Sequence, residues 1–149
     1  MMFRTHVLFA LLIGIIFHSF SNGQWLVFFP LILISAGLPD LDNPQSKFGR
    51  RLKLLSWFFK HRGIFHSLFF VFGISLLGWW FFGNVVFWGL FLGSLSHLIA
   101  DGFTLSGVNL LYPFKQLKLK GFVKTNGMME SAIFYLLLII DAALLINIL

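Results

Sequence analysis

In SLSHLIADGFT, His97 and Asp101 stand four residues apart, the spacing that puts an imidazole and a carboxylate one turn apart on the same helix face. In GLPDLDNP, Asp40 and Asp42 are two apart between Pro39 and Pro44, which cannot continue a helix and so present both carboxylates from a stiff turn. In KHRGIFHS, His61 and His66 are five apart, which brackets a helix start near Gly63 better than it fits one helix face. The chain has no cysteine, so neither a thiolate ligand nor a disulfide framework exists. Imidazole nitrogen with carboxylate oxygen and no sulfur suits Zn²⁺, or a harder ion such as Mn²⁺ or Mg²⁺. An ion so held lowers the pKa of its water from about 15.7 toward about 7, which is the chemistry of hydrolysis at neutral pH.

The elements that must position these groups are apolar. With 58% hydrophobic residues, 11% charged and 21 Phe in 149 residues, the composition lies outside that of soluble domains. Five runs, roughly 5–20, 25–38, 64–82, 85–100 and 130–149, approach the about 20 residues of a spanning helix, the first two being short. None shows the sustained alternation that a membrane barrel needs, so helices are expected. The expectation is an all-α, polytopic membrane bundle of about five transmembrane helices, forming a single domain over 1–149. A removable leader is the other reading of the first run, but His6 and His18 interrupt it and the next run follows at once.

Charge sets the orientation. Lys47, Arg50, Arg51, Lys53, Lys60 and Arg62 lie between the second and third runs, and Lys115, Lys118, Lys120 and Lys124 between the fourth and fifth. The connections SNGQ and FGN carry no Lys or Arg. The positive-inside rule therefore places the N-terminus and both basic loops in the cytoplasm, with the C-terminus outside. The net charge of +6 is read as topology and contact with anionic membrane lipids, with no nucleic-acid partner expected.

On this topology eight side chains of metal-ligand type gather at the cytoplasmic helix ends: His6, Asp40, Asp42, His61, His66, His97, Asp101 and Glu130. Isolated ionisable groups near lipid are costly, whereas groups that share a cation are tolerated. The expected metal ligands are His6, Asp40, His66, His97, Asp101 and Glu130, the last with a helix-capping role as an equal alternative. Asp40 or Asp42 is the candidate general base, and His61 a ligand or a support to one. Arg62 is the candidate clamp for substrate charge. Ser67 is a candidate to orient a ligand or substrate oxygen. Gly73, Gly78, Gly89 and Gly93 are read as points of close helix approach.

The order His6, GLPDLD, HRGIFHS, then SHLIADGFT running into SGVNLLYPF resembles a family of small inner-membrane proteins described as membrane-bound metal-dependent hydrolases (DUF457, LexA-binding inner-membrane hydrolases). The resemblance runs from the first helix to Phe114; the family usually has Thr where Phe65 stands. It implies a multi-pass protein of the inner (plasma) membrane with a divalent ion and a hydrolytic activity. The order His6, Asp40, His61 or His66, then His97 with Asp101 is also similar to that of the all-helical zinc phosphoesterases, namely the bacterial zinc phospholipases C and related single-strand nucleases. Their later His and carboxylate ligands find no match beyond Glu130. The expectation is hydrolysis of a phosphoester or lipid-type substrate at the cytoplasmic membrane face. The rivals are a metal-ion or proton transporter and a non-catalytic membrane regulator pinned by a structural metal. Asp141, deep in the last run, is assigned no role.

Overall fold

The computed structural model describes residues 1–43, 63–114 and 117–148. Five α-helices form among them: α1 (Phe3–Ile16), α2 (Trp25–Ser35), α3 (Leu68–Phe82), α4 (Asn84–Gly102) and α5 (Met128–Ile148). Each falls on one of the five apolar runs. Three segments are long and apolar enough to cross a membrane, Trp25–Asp42, Asn84–Gly102 and Met128–Ile146, while Phe3–Ile16 and Leu68–Phe82 are shorter apolar helices. The basic connection of the second and third runs, with Pro44, His61 and Arg62, lies outside the described residues, as does Lys115.

Two elements differ from expectation. Helix α3 starts at Leu68 rather than near Gly63, because Ile64–His66 forms a short 3₁₀ turn first. Ser67 is then the N-cap: its hydroxyl oxygen accepts from the Phe70 N–H at 3.3 Å and its O–H donates to the Ile64 carbonyl at 2.6 Å. That hydroxyl is engaged by backbone rather than turned to a substrate. The chain also contains a small antiparallel pair, β1 (Val108–Asn109) and β2 (Lys118–Leu119), with Val108 opposite Leu119 and Asn109 opposite Lys118. Gly107, at φ +68°, lets the backbone pass against the Leu119 carbonyl, where a side chain would collide. The Leu68 N–H donates to the Leu110 carbonyl at 2.9 Å, fastening this hairpin to the start of α3.

Helix α4 is the hub, packed against α1, α2 and α3, while α5 packs along α1. Arg4 of α1 lies over the Phe134 ring of α5 at 4.7 Å, a cation–π contact that helps hold the two starts together. Between helices in lipid there is no hydrophobic drive, so small residues that allow tight packing decide which faces meet. On α4, Gly89, Gly93, His97 and Asp101 recur every four residues and form one stripe. A methyl at Gly89 would meet Leu31, and one at Gly93 would collide with the Ser35 hydroxyl and the Ile32 carbonyl. The contact is backbone to backbone, and Ser35 spans it by donating to the Gly89 carbonyl at 2.9 Å. Gly78 likewise admits Val86 and Leu90 of α4, but a methyl at Gly73 would touch nothing, so the expected close approach there does not exist.

Two glycine substitutions should therefore part company in detergent. Gly93→Ala overpacks the α2–α4 contact at a cost of about 1–3 kcal/mol and should lower the thermal unfolding midpoint. Gly73→Ala, with open space around it, should leave the midpoint unchanged or raise it.

Candidate metal centre

Four segments deliver the site to one end of the bundle: the first turn of α1, the 3₁₀ turn Pro39–Asp42 after α2, the 3₁₀ turn Ile64–His66 before α3, and the last turn of α4. Pro39 at the first position of its turn fixes the backbone that aims Asp40 and Asp42 in different directions. Thr104 closes α4 by donating to the Asp101 carbonyl at 2.7 Å, so Asp101 ends the helix facing the bundle.

Asp40, His66 and His97 bring one donor atom each to within 4.8 Å of one another, and Asp101 stands against the same two histidines. His66 Nε2 lies 3.8 Å from Asp40 Oδ1 and 3.8 Å from Asp101 Oδ2. His97 Nε2 lies 3.9 Å from the same two oxygens. These separations exceed hydrogen-bond length, yet they are nearly equal. Ligands about 2.0–2.2 Å from a tetrahedral zinc lie about 3.3–3.6 Å apart, so each of these nitrogen–oxygen pairs is a few tenths of an ångström wider than two ligands of one ion. A closure of that size would let Asp40, His66 and His97 share one ion. Two carboxylates also match the charge of a divalent cation.

Both imidazoles are held from behind. His97 Nδ1 is 2.7 Å from the Ala36 carbonyl. A carbonyl only accepts, so Nδ1 carries the proton, and in the neutral ring Nε2 keeps its lone pair toward the centre. That Nε2 is buried and has no hydrogen-bond partner among the described residues. His66 Nδ1 faces Asp42 Oδ2 at 3.5 Å, the carboxylate–histidine arrangement that orients metal-binding imidazoles. The paired aspartates thus divide: Asp40 turns to the centre and Asp42 stands behind His66.

His6 belongs to a second grouping, with His97 and Asp101, whose donor atoms lie within 4.8 Å of one another. Its Nε2 is 3.4 Å from Asp101 Oδ1, and its ring stacks on His97 at 3.9 Å and 9°. Parallel rings point their lone pairs side by side, so both can bind one ion only if one ring tilts. The Met1 amino group also reaches Asp101 Oδ1, at 2.8 Å. Burial of the set is nearly complete, and Asp40, its side chain 19% exposed, is the member that opens to the outside.

Glu130 is not brought into either grouping. It is fully buried, but its two oxygens accept from the backbone N–H of Met2 at 2.5 Å and of Asn126 at 2.6 Å, tying the start of α5 to the chain ahead of α1. His18, at the other end of the bundle, is 2.9 Å from the Ile15 carbonyl through Nδ1. His61 and Arg62 lie outside the described residues. Sequence reasoning missed the Ala36 carbonyl, which carries no side-chain signal, and the continuity of Gly89 and Gly93 with His97 and Asp101, which the four-residue spacing does signal.

The inner membrane proteins YdjM of Escherichia coli (strain K12) and of Shigella flexneri are each 38% identical over 103 residues, 62% of this chain and 53% of theirs. The chain thus spans about half the length of these relatives. The protein named Uncharacterized protein YvsG of Bacillus subtilis (strain 168) is 28% identical over 141 residues, 87% of this chain and 85% of its own. No solved structure matches. A family model described as YdjM inner membrane protein matches residues 1–148, so this chain, with its membrane-length apolar helices, belongs to the YdjM (DUF457) family of inner membrane proteins.

Proposed function

We propose that this chain is a membrane-bound metal-dependent hydrolase of the inner membrane, crossing it five times with the N-terminus in the cytoplasm, and acting on a phosphoester or lipid-type substrate at the cytoplasmic face. The observation that carries the reading is the convergence of Asp40, His66 and His97, whose donor atoms lie within 4.8 Å of one another, with Asp101 Oδ2 3.8–3.9 Å from both histidine Nε2 atoms.

The two groupings share His97, and its Nδ1 is committed to Ala36. One remaining nitrogen serves one ion, which favours a single centre, with zinc the best match to the donors and manganese or magnesium as harder alternatives. When bound, such an ion would supply Lewis-acid activation of water. Asp40, on the open side, is placed to accept a proton from an incoming water. Asp42 and the Ala36 carbonyl hold the imidazoles in one tautomer. His6 braces Asp101 from the far side, and Arg62, next to the mouth in sequence, is the proposed clamp for substrate charge. The gathering of these groups at one end of the bundle favours chemistry at a surface over transport, whose sites lie near the midplane on broken helices.

Elemental mass spectrometry of purified protein should find close to one zinc or manganese per chain, and Asp40→Ala or His97→Ala should remove it. Wild-type protein that stays metal-free after reconstitution with zinc, manganese and magnesium would sink the hydrolase reading. Asp42→Asn should retain the metal but weaken its affinity by about 10–100-fold, measured by chelator competition, as expected for a group behind a ligand. For orientation, alkaline phosphatase fused after Ile148 should be active and the same fusion after Phe114 inactive; the reverse pattern would invert the topology.

A further inference from the structure

Beside the centre lies a cavity of about 230 Å³ that the site's chemistry does not use. It is bounded by α1 and α5, by the end of α4, and by Phe122 and Val123 after the hairpin. Three of its lining residues adjoin the centre: the Met1 amino group contacts Asp101, Thr5 precedes His6, and Ala100 precedes Asp101. Away from the centre the lining passes to Phe9, Ile133 and Leu137 of the two helices. Apart from Thr5 every lining side chain is apolar. The Thr5 hydroxyl is fully buried and has no hydrogen-bond partner among the described residues. That hydroxyl contributes no surface to the cavity, whose walls are apolar throughout.

Resting on the hydrolase reading above, we infer that this cavity takes the hydrocarbon chain of the substrate, which is then a single-chain amphiphile bearing a phosphoester headgroup. At about 230 Å³ the space is smaller than the about 300–1,000 Å³ typical of small-molecule pockets, so it admits a slender occupant rather than a bulky one. Phe103 and Phe122, both more than half exposed, flank it and offer a greasy entrance for a chain already in the leaflet. A chain seated along Phe9 and Leu137 would bring its polar end toward Met1 and Ala100, the first in contact with Asp101 and the second next to it in the chain, and so toward the His97–Asp101 end of the centre. Geometry and chemistry agree because the apolar and polar halves of one molecule meet an apolar cavity and a cation centre at a shared boundary.

The test is photolabelling in lipid nanodiscs with a single-chain alkyl phosphate carrying a diazirine in mid-chain, read by peptide mass spectrometry. Label on Phe9, Phe103, Ile133 or Leu137 in wild type, lost several-fold in Leu137→Trp, which fills the space away from every proposed ligand, is the expected result. If Leu137→Trp loses wild-type helical content, Ile133→Phe gives the same readout by a smaller filling. Label confined to the outer faces of α3 and α5, or cavity label unchanged by both fillings, would overturn the inference. Cavity label without turnover of any phosphoester would leave the chain site standing and count against hydrolysis; turnover with no cavity label would do the opposite.

Discussion

The contact on which the site depends is the close approach of α2 to α4 across Gly89 and Gly93. Only with no side chain at those positions can the Ile32–Ala36 backbone lie directly on α4. One turn further along the same stripe, that approach puts the Ala36 carbonyl 2.7 Å from His97 Nδ1. The hydrogen bond fixes the ring, the ring fixes where Nε2 points, and the end of α2 delivers Pro39–Asp42 to the opposite side of the same point. A bulkier stripe would move all of these together, because the turn carrying Asp40 is only a few residues beyond the contact.

Burial makes the arrangement demanding. His6, His66, His97, Asp42 and Asp101 are almost wholly removed from solvent, at one end of a bundle of apolar helices. Charged groups there are tolerated when they are paired or share an ion. The network meets that condition in layers. A ring of imidazole and carboxylate faces the centre, a carbonyl and a carboxylate stand behind the two histidines, and Glu130 binds the N–H groups that join α1 to α5. Glu130 shows how a residue of ligand type can sit near a set that could hold a metal ion and still serve the fold. Its carboxylate oxygens are both spent on backbone donors, which an isolated helix start would otherwise leave to water.

Asp141 stands apart from this network. It is buried on α5, and neither carboxylate oxygen has a hydrogen-bond partner among the described residues. The structure gives no reason for its presence, and neither did its position within the last apolar run.

Much of the architecture was legible beforehand. Five apolar runs become five helices, and for the three segments long enough to cross a membrane the reason is that hydrocarbon leaves the backbone no partner but itself. Because successive helices reverse direction, alternate ends share one face, and that alone predicts that His6, Asp40, His66, His97 and Asp101 converge. Local sequence could not tell Asp40 from Asp42, since both carboxylates sit in one turn and only the position of the His66 ring decides which of them faces its Nε2 and which its Nδ1. Nor could it tell capping from ligation for Glu130, or find the Ala36 carbonyl, or show that Gly93 matters where Gly73 does not. Each of these depends on what another helix presents a few ångströms away. Residue types and their order along the chain determined the chemistry and the end of the bundle where it gathers. Only tertiary packing decided which atoms face the common point, because that is set by contacts between segments tens of residues apart.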